Sequence, residues 1–271
     1  ISACLVGSEM CIRDRVGMVL LAVAFIALWQ GVHAIGLFSP IILPPPAAVF
    51  RDILLVGTNL ATGGYMLAAL WITLQEVALG FVIAIAVGFT LGVIVGESSF
   101  GERVVLPYLV AIDTMPKVAF APLFLAWFGF GISSKVALAA FIATFPIVVA
   151  TAAGLHASDE NARMLFKTMG ATRWQTLWRM KLPLGLPHIF TGLKIASVGV
   201  MAGAITGEFL GGGKGFGELI RVAAAQLNTP RIFSLILFLS LVGLTLFWLV
   251  SFVERRIVFW RRRAEAGSLN A

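Results

Sequence analysis

The sequence predicts an all-α polytopic membrane protein with about six transmembrane helices, each span needing roughly 20 apolar residues. Three observations carry that prediction. Charged residues make up 12% of the 271 positions and hydrophobic ones 59%, about half the charged share of an ordinary soluble protein. That is too little charge to cover a soluble surface, and too much hydrophobicity for a disordered chain. The apolar residues fall in blocks of bilayer-crossing length. Finally, Lys and Arg concentrate in alternate connections, as membrane insertion favours.

The elements follow in order. Residues 1–15, ISACLVGSEMCIRDR, show neither periodicity nor a secretory signal pattern and are expected to be a non-native tail. Span 1 covers roughly 16–38 and stops at Ser39-Pro40. Pro44, Pro45 and Pro46 cannot continue a helix. From Ala47, the apolar Val49, Ile53, Leu54 and Val56 suggest a short interfacial helix. The block 65–95 is too long for one upright span and is read as an approach helix followed by span 2 from about Thr73. Gly80, Ala84, Gly88, Gly92 and Gly96 form a smooth ridge along it. Span 3, about 104–128, is broken inside by Asp113, Pro116 and Lys117, and span 4 covers about 135–155. A long polar loop, 156–186, precedes span 5 (about 187–210), which carries a second ridge at Gly199, Gly203, Gly207 and Gly211. The glycine-rich GGGKGFG (211–217) leads to a mixed segment. Span 6, about 232–253, ends before the basic tail 261–271.

With six spans, both termini share a side with the 97–103 and 156–186 loops. That side holds Arg163, Lys167, Arg173, Arg179, Lys181, Arg255 and Arg256 among others. The opposite side holds only Arg51, Lys135, Lys214, Arg221 and Arg231. The richer side is the cytoplasmic one, so both termini are expected in the cytoplasm.

The 156–186 loop is the most informative segment. Ser158 or Asp159 can cap a helix, with Asp159 and Glu160 at its positive end. Ala162, Leu165, Phe166 and Met169 then recur at helical spacing as one apolar stripe. Gly170 suits a break, and a second run over 172–181 is expected to end at Pro183 and Pro187. Such a helix can lie in the lipid interface, pack on its own bundle, or dock in a groove on a partner.

A resemblance chooses among these. The loop is similar to the signature of ABC-importer permease subunits, E-A-A-x3-G-x9-I-x-L-P. Gly170 takes the glycine, Met180 the isoleucine position, and Leu182-Pro183 the closing pair. The E-A-A positions hold Met164, Leu165 and Phe166 instead, so the acidic residue is missing. ILPPPAAVFRDI (42–53), MPKVAFAPLFLAWFGFGISSKVALAAFIATFPIVVAT (115–151) and ITGEFLGGGKGFGELI (205–220) resemble the nitrate/sulfonate/taurine group of those permeases. The resemblance implies a type I ABC importer permease fold over 16–260. It also implies a homodimer with a second permease copy, two cytoplasmic ATPase subunits and an extracytoplasmic solute-binding protein, in a bacterial-type plasma (inner) membrane. The coupling loop to the ATPase would comprise Asp159, Ala162, Leu165, Phe166, Met169, Gly170, Ala171, Leu182 and Pro183. ATP and Mg would sit on the ATPase partner, and no cofactor on this chain. The resemblance implies a small solute: a sulfonate- or nitrate-like anion or a pyrimidine precursor.

Asp113, Lys117, Lys194 and Glu208, with Glu76, lie within or near spans. They are read either as a polar translocation pathway or as paired charges; a cationic Lys117 would suit an anionic solute. GGGKGFG is not a phosphate loop, because that motif needs Gly at 208 and Ser or Thr at 215, where Glu208 and Gly215 stand. His33, His156 and His188 are scattered and have no metal spacing, and Cys4 and Cys11 form no C-x-x-C pair. No basic face is free for nucleic acid. An ion-gradient-driven secondary transporter is the alternative, but the chain shows no repeat halves. An intramembrane enzyme would need a nucleophile–base pair that no motif supplies.

Overall fold

The computed structural model describes residues 17, 20, 21, 23–36, 38–98, 100–157 and 160–260, which form helices and no strand. Four helices are long and apolar enough to cross a membrane: α3 (Tyr65–Glu97), α6 (Ile132–His156), a path over Arg173–Gly211, and α11 (Thr229–Ile257). A fifth span is a pair bent by 89°, Arg103–Thr114 and Lys117–Phe128. The expected first span is described only in part, as α1 (Val23–Ala34). The tail 1–15, Ser158, Asp159 and the 261–271 segment lie outside the described residues.

The chain forms two compact units. The first takes residues up to Gly64 together with Ile220–Leu237. Its α2 (Pro46–Ala61) starts with Pro46 in the first turn, where a missing N–H costs nothing. Val49, Asp52 and Val56 are its buried face. Arg231 Nε donates to both Asp52 oxygens, at 2.9 and 2.8 Å. Trp29 Nε1 donates to the Pro44 carbonyl at 3.0 Å and so ties α1 to the proline turn.

The second unit takes Tyr65–Leu219 and the chain from Phe238, and is organised around α6. More than half of the apolar stretch of α6 is buried (56%), against 11% for α11, so α6 is the hub and α11 a peripheral helix. Both glycine ridges pack on it. A Cβ at Gly92 of α3 would lie 2.5 Å from Thr151 Cβ, and one at Gly203 of α9 (Leu182–Gly211) would lie 2.6 Å from Ala139 Cα. The ridges are thus helix-packing seams that let backbones approach closely.

Three expectations change. The approach helix and span 2 are one 33-residue helix, α3, about 50 Å long at 1.5 Å per residue; no residue between Tyr65 and Thr73 breaks it. The mixed segment after the glycine-rich loop contains a helix, α10 (Phe216–Ala225). Pro183 and Pro187 do not end the helical run before span 5. The path stays helical from α8 (Arg173–Thr176) through a π turn, Leu177–Lys181, into α9. In that wider turn Leu182 N–H donates to the Leu177 carbonyl, five residues back. A proline just after it has no N–H to leave unpaired.

The break in span 3 is where the sequence places it. After a π turn (Gly101–Val105) come α4 (Leu106–Thr114), a 3-10 turn (Lys117–Phe120) and α5 (Ala121–Phe128). Met115 has φ −69° and ψ 144°. The ring of Pro116 pushes its predecessor out of the helical region, and α4 stops there.

Candidate functional site

The first candidate is the α7–α8 turn. Helix α7 (Glu160–Thr168) ends in a Schellman cap. Ala171 N–H donates to the Phe166 carbonyl (3.0 Å), Gly170 N–H donates to the Lys167 carbonyl (3.1 Å), and Gly170 has φ +72°. Nothing lies within 4 Å of a Cβ built on Gly170, so within this chain the backbone angle, not space, selects glycine there. Helix α8 begins with a capping box. Thr172 Oγ1 accepts from Gln175 N–H (3.3 Å), and Thr172 N–H donates to Gln175 Oε1 (2.9 Å). Two caps around Ala171 make a rigid corner from a short, polar stretch.

The predicted stripe splits on this corner. Leu165 and Met169 are exposed, 58% and 74%, whereas Ala162 and Phe166 are half-buried. Met164, outside the stripe, is as exposed as Leu165. Gly170 is exposed, and Ala171, Leu182 and Pro183 are partly covered. Asp159 lies outside the described residues. Behind the corner, Lys181 Nζ donates to Glu97 Oε1 at 2.7 Å and ties the start of α9 to the end of α3.

The second candidate is a buried charge cluster. Glu76, Glu208, Thr73 and Lys135 are all sealed from solvent. Glu208 accepts from Thr73 Oγ1 (2.6 Å) and from Gly217 N–H (2.5 Å). Thr73 Oγ1 in turn accepts from Phe216 N–H (2.9 Å). The Glu208 carboxylate therefore sits at the N-terminal end of α10, where negative charge is favoured. Lys135 Nζ lies 3.4 Å from Glu76 Oε1. The glycine-rich loop is clasped onto α3 by this cluster; Gly212, at φ +67°, supplies the turn. Sequence reasoning missed Thr73, which looks like one polar residue in an apolar helix. It also read Lys135 as an outer-loop charge, although the side chain is 3% exposed.

The remaining charges divide. Lys194 is ion-paired with Glu254 of α11. Asp113 and Lys117 pair with each other across the helix break at 2.5 Å and remain about a quarter exposed. They line a groove of about 710 Å³ together with Phe124, Phe128, Phe141 and Phe145. Phe124 contacts Phe141 (centroids 5.5 Å apart) and stacks on Phe128 (6.1 Å). Of the four pathway residues, then, Asp113 and Lys117 share this groove, while Glu208 belongs to the sealed cluster and Lys194 to a separate ion pair. Among the described residues, no three His, Cys, Asp or Glu side chains converge as a metal site.

Comparison with known proteins fits this arrangement. Residues 84–259 match the family described as binding-protein-dependent transport system inner membrane component. The chain is 34% identical over 236 residues to the formylaminopyrimidine transport permease protein ThiX of Halalkalibacterium halodurans, covering 87% of this chain and 92% of that one. It is 27% identical over 239 residues to the taurine transport system permease protein TauC of Escherichia coli, covering 87% and 86%. A solved structure of the MetNI methionine ABC transporter, in an inward-facing conformation, superposes with a TM-score of 0.64 at 16% identity, covering 71% of this chain and 95% of that one. This likeness shows the type I permease fold. The chain belongs to the family of binding-protein-dependent inner membrane components: it is a multi-pass permease subunit of an ABC importer, a transport protein in whose systems a partner ATPase hydrolyses ATP.

Proposed function

We propose that two copies of this chain form a homodimeric pathway that admits a small solute by alternating access. Both termini are cytoplasmic in this reading, as the Lys and Arg distribution favours. Two ATPase subunits, carrying ATP and Mg, dock on the α7–α8 corner, and an extracytoplasmic binding protein delivers the solute. This chain holds no cofactor. The observation that carries the reading is the corner itself: Leu165 and Met169 project from a doubly capped turn, and a rigid, exposed apolar knob suits a groove on a partner. ATPase closure would move the corner and, through the Lys181–Glu97 tie, the ends of α9 and α3. Of the sequence-derived coupling set, Leu165, Met169 and Gly170 carry the contact. Phe166, Ala162, Leu182 and Pro183 brace it, Ala171 closes the cap, and Asp159 adds charge at the start of α7.

The solute passes the groove at the broken span. There the charge of Lys117 is already balanced by Asp113, and the wall is mostly aliphatic with four phenylalanines on it. That balance favours a flat, uncharged heterocycle, of the kind named for ThiX, over a free sulfonate or nitrate, for which an unpaired cation would be the better partner. Uptake into vesicles holding the permease, its ATPase and its binding protein tests this. A radiolabelled aminopyrimidine should accumulate only with internal ATP, and excess ethanesulfonate should not compete. Uptake of the sulfonate but not the pyrimidine would reverse the solute assignment.

A further inference from the structure

The elbow between the coupling corner and α9 carries a second apolar surface that docking does not use. Trp174 and Trp178 stack at 6.5 Å with an interplanar angle of 15°, and are 68% and 55% exposed. They line a groove of about 260 Å³ whose opposite wall is Phe89, Val93 and Ile94 of α3. Those three residues stand in the last turns of a membrane-spanning helix, which ends at Glu97. At 1.5 Å per residue they lie about 4 to 12 Å inside that end. In a membrane, hydrocarbon chains face that wall, and indoles favour the level where chain meets headgroup.

Charge agrees with this placement. Each indole has an exposed arginine as its chain neighbour, Arg173 beside Trp174 and Arg179 beside Trp178. Neither arginine has an ion-pair partner among the described residues, whereas Lys181 of the same elbow is held by Glu97. The elbow thus presents an apolar slot and two exposed cations at the end of a span, on the side that the charge distribution makes cytoplasmic. Anionic headgroups attract basic residues next to a span.

We propose that the elbow is a binding site for one anionic phospholipid. An acyl chain fills the slot between Trp178 and Val93, and Arg173 and Arg179, on either flank of the indole face, supply the positive field that holds the headgroup. The corner that receives the ATPase is then anchored from behind by lipid, and headgroup charge becomes an input to coupling. The site does not depend on the solute or on the transport cycle.

Tryptophan fluorescence tests this in the full chain, purified with its partners and reconstituted in phosphatidylcholine vesicles. A small fraction of the lipid is either chain-brominated phosphatidylglycerol or chain-brominated phosphatidylcholine. Brominated phosphatidylglycerol should quench more strongly than the phosphatidylcholine at equal fraction. The Arg173→Gln/Arg179→Gln variant keeps every tryptophan and should abolish that difference, while Trp174→Phe/Trp178→Phe should remove the excess quenching by phosphatidylglycerol and leave the lipid-facing Trp71, Trp127 and Trp248 quenched equally by both lipids. Equal quenching by the two lipids would overturn the proposal, as would a phosphatidylglycerol preference that survives the arginine changes. Absence of quenching at the elbow would also overturn it, and would mean that protein covers the groove.

Discussion

The α3–α6–α9 bundle and the α7–α8 corner invert the soluble-protein rule in opposite ways. The bundle hides Glu76, Lys135 and Glu208, while the corner exposes Leu165 and Met169. Inside the bundle, Glu208 is hydrogen-bonded by Thr73 and Gly217, and Glu76, whose oxygens accept no hydrogen bond, has the Lys135 charge 3.4 Å away. At the corner, apolar side chains persist outside because something other than water is expected to cover them. Glycine divides the same way. At Gly92 and Gly203 it lets backbones meet, and at Gly170 it supplies a left-handed angle in open space. Polarity and glycine therefore mean different things in the two regions, and each meaning predicts a different response to substitution.

The largest stability effect is expected in the charge cluster. Lys135→Met leaves the buried Glu76 carboxylate unpaired and should cost about 3–5 kcal/mol, read as a lower unfolding temperature in detergent. Adding Glu76→Gln should recover much of that loss; no recovery would mean that the pair is not a unit. Next comes Gly203→Ala. Its new methyl would meet Ala139 Cα at 2.6 Å and should cost about 1–3 kcal/mol by overpacking. A neutral result would show that α9 and α6 can separate freely.

The corner should respond locally. Gly170→Ala puts a Cβ on a left-handed residue, at a cost of about 1–2 kcal/mol. The bundle's unfolding temperature should hold while the amides of 166–172 exchange faster with solvent. Gly170→Asn should restore part of the protection, because asparagine tolerates that angle. The smallest stability effect is Leu165→Asp, within about 0.5 kcal/mol at this exposed site. A large destabilisation there would mean that Leu165 packs on its own bundle.

Much of this was legible in the sequence, for reasons that differ by element. The helix after the prolines, the break at Pro116 and the stop at Gly170 are local events, set by backbone sterics over a few residues. The spans follow from composition over a bilayer-length window. What escaped was set by distant partners. Glu208 looks like a pathway carboxylate until Thr73 and the amide of Gly217 are brought onto it. Lys135 looks like a loop charge until α6 starts early, at Ile132, and carries it inward. Lys117 is a different case: its partner is local, Asp113 four residues back, and the structure takes the paired-charge alternative that the sequence left open. The stripe of α7 has the right period, yet only the folded corner distinguishes exposed Leu165 and Met169 from half-buried Ala162 and Phe166.

The central claim is that this corner docks an ATPase. The direct measurement is the amount of ATPase subunit that co-purifies with the tagged chain, for the wild type and for Leu165→Asp/Met169→Asp. The account predicts about one ATPase per permease in the wild type, and loss of the ATPase from the variant with the unfolding temperature unchanged. A variant that retains its ATPase would contradict the account. So would a wild-type chain that purifies alone and moves solute under an ion gradient without ATP.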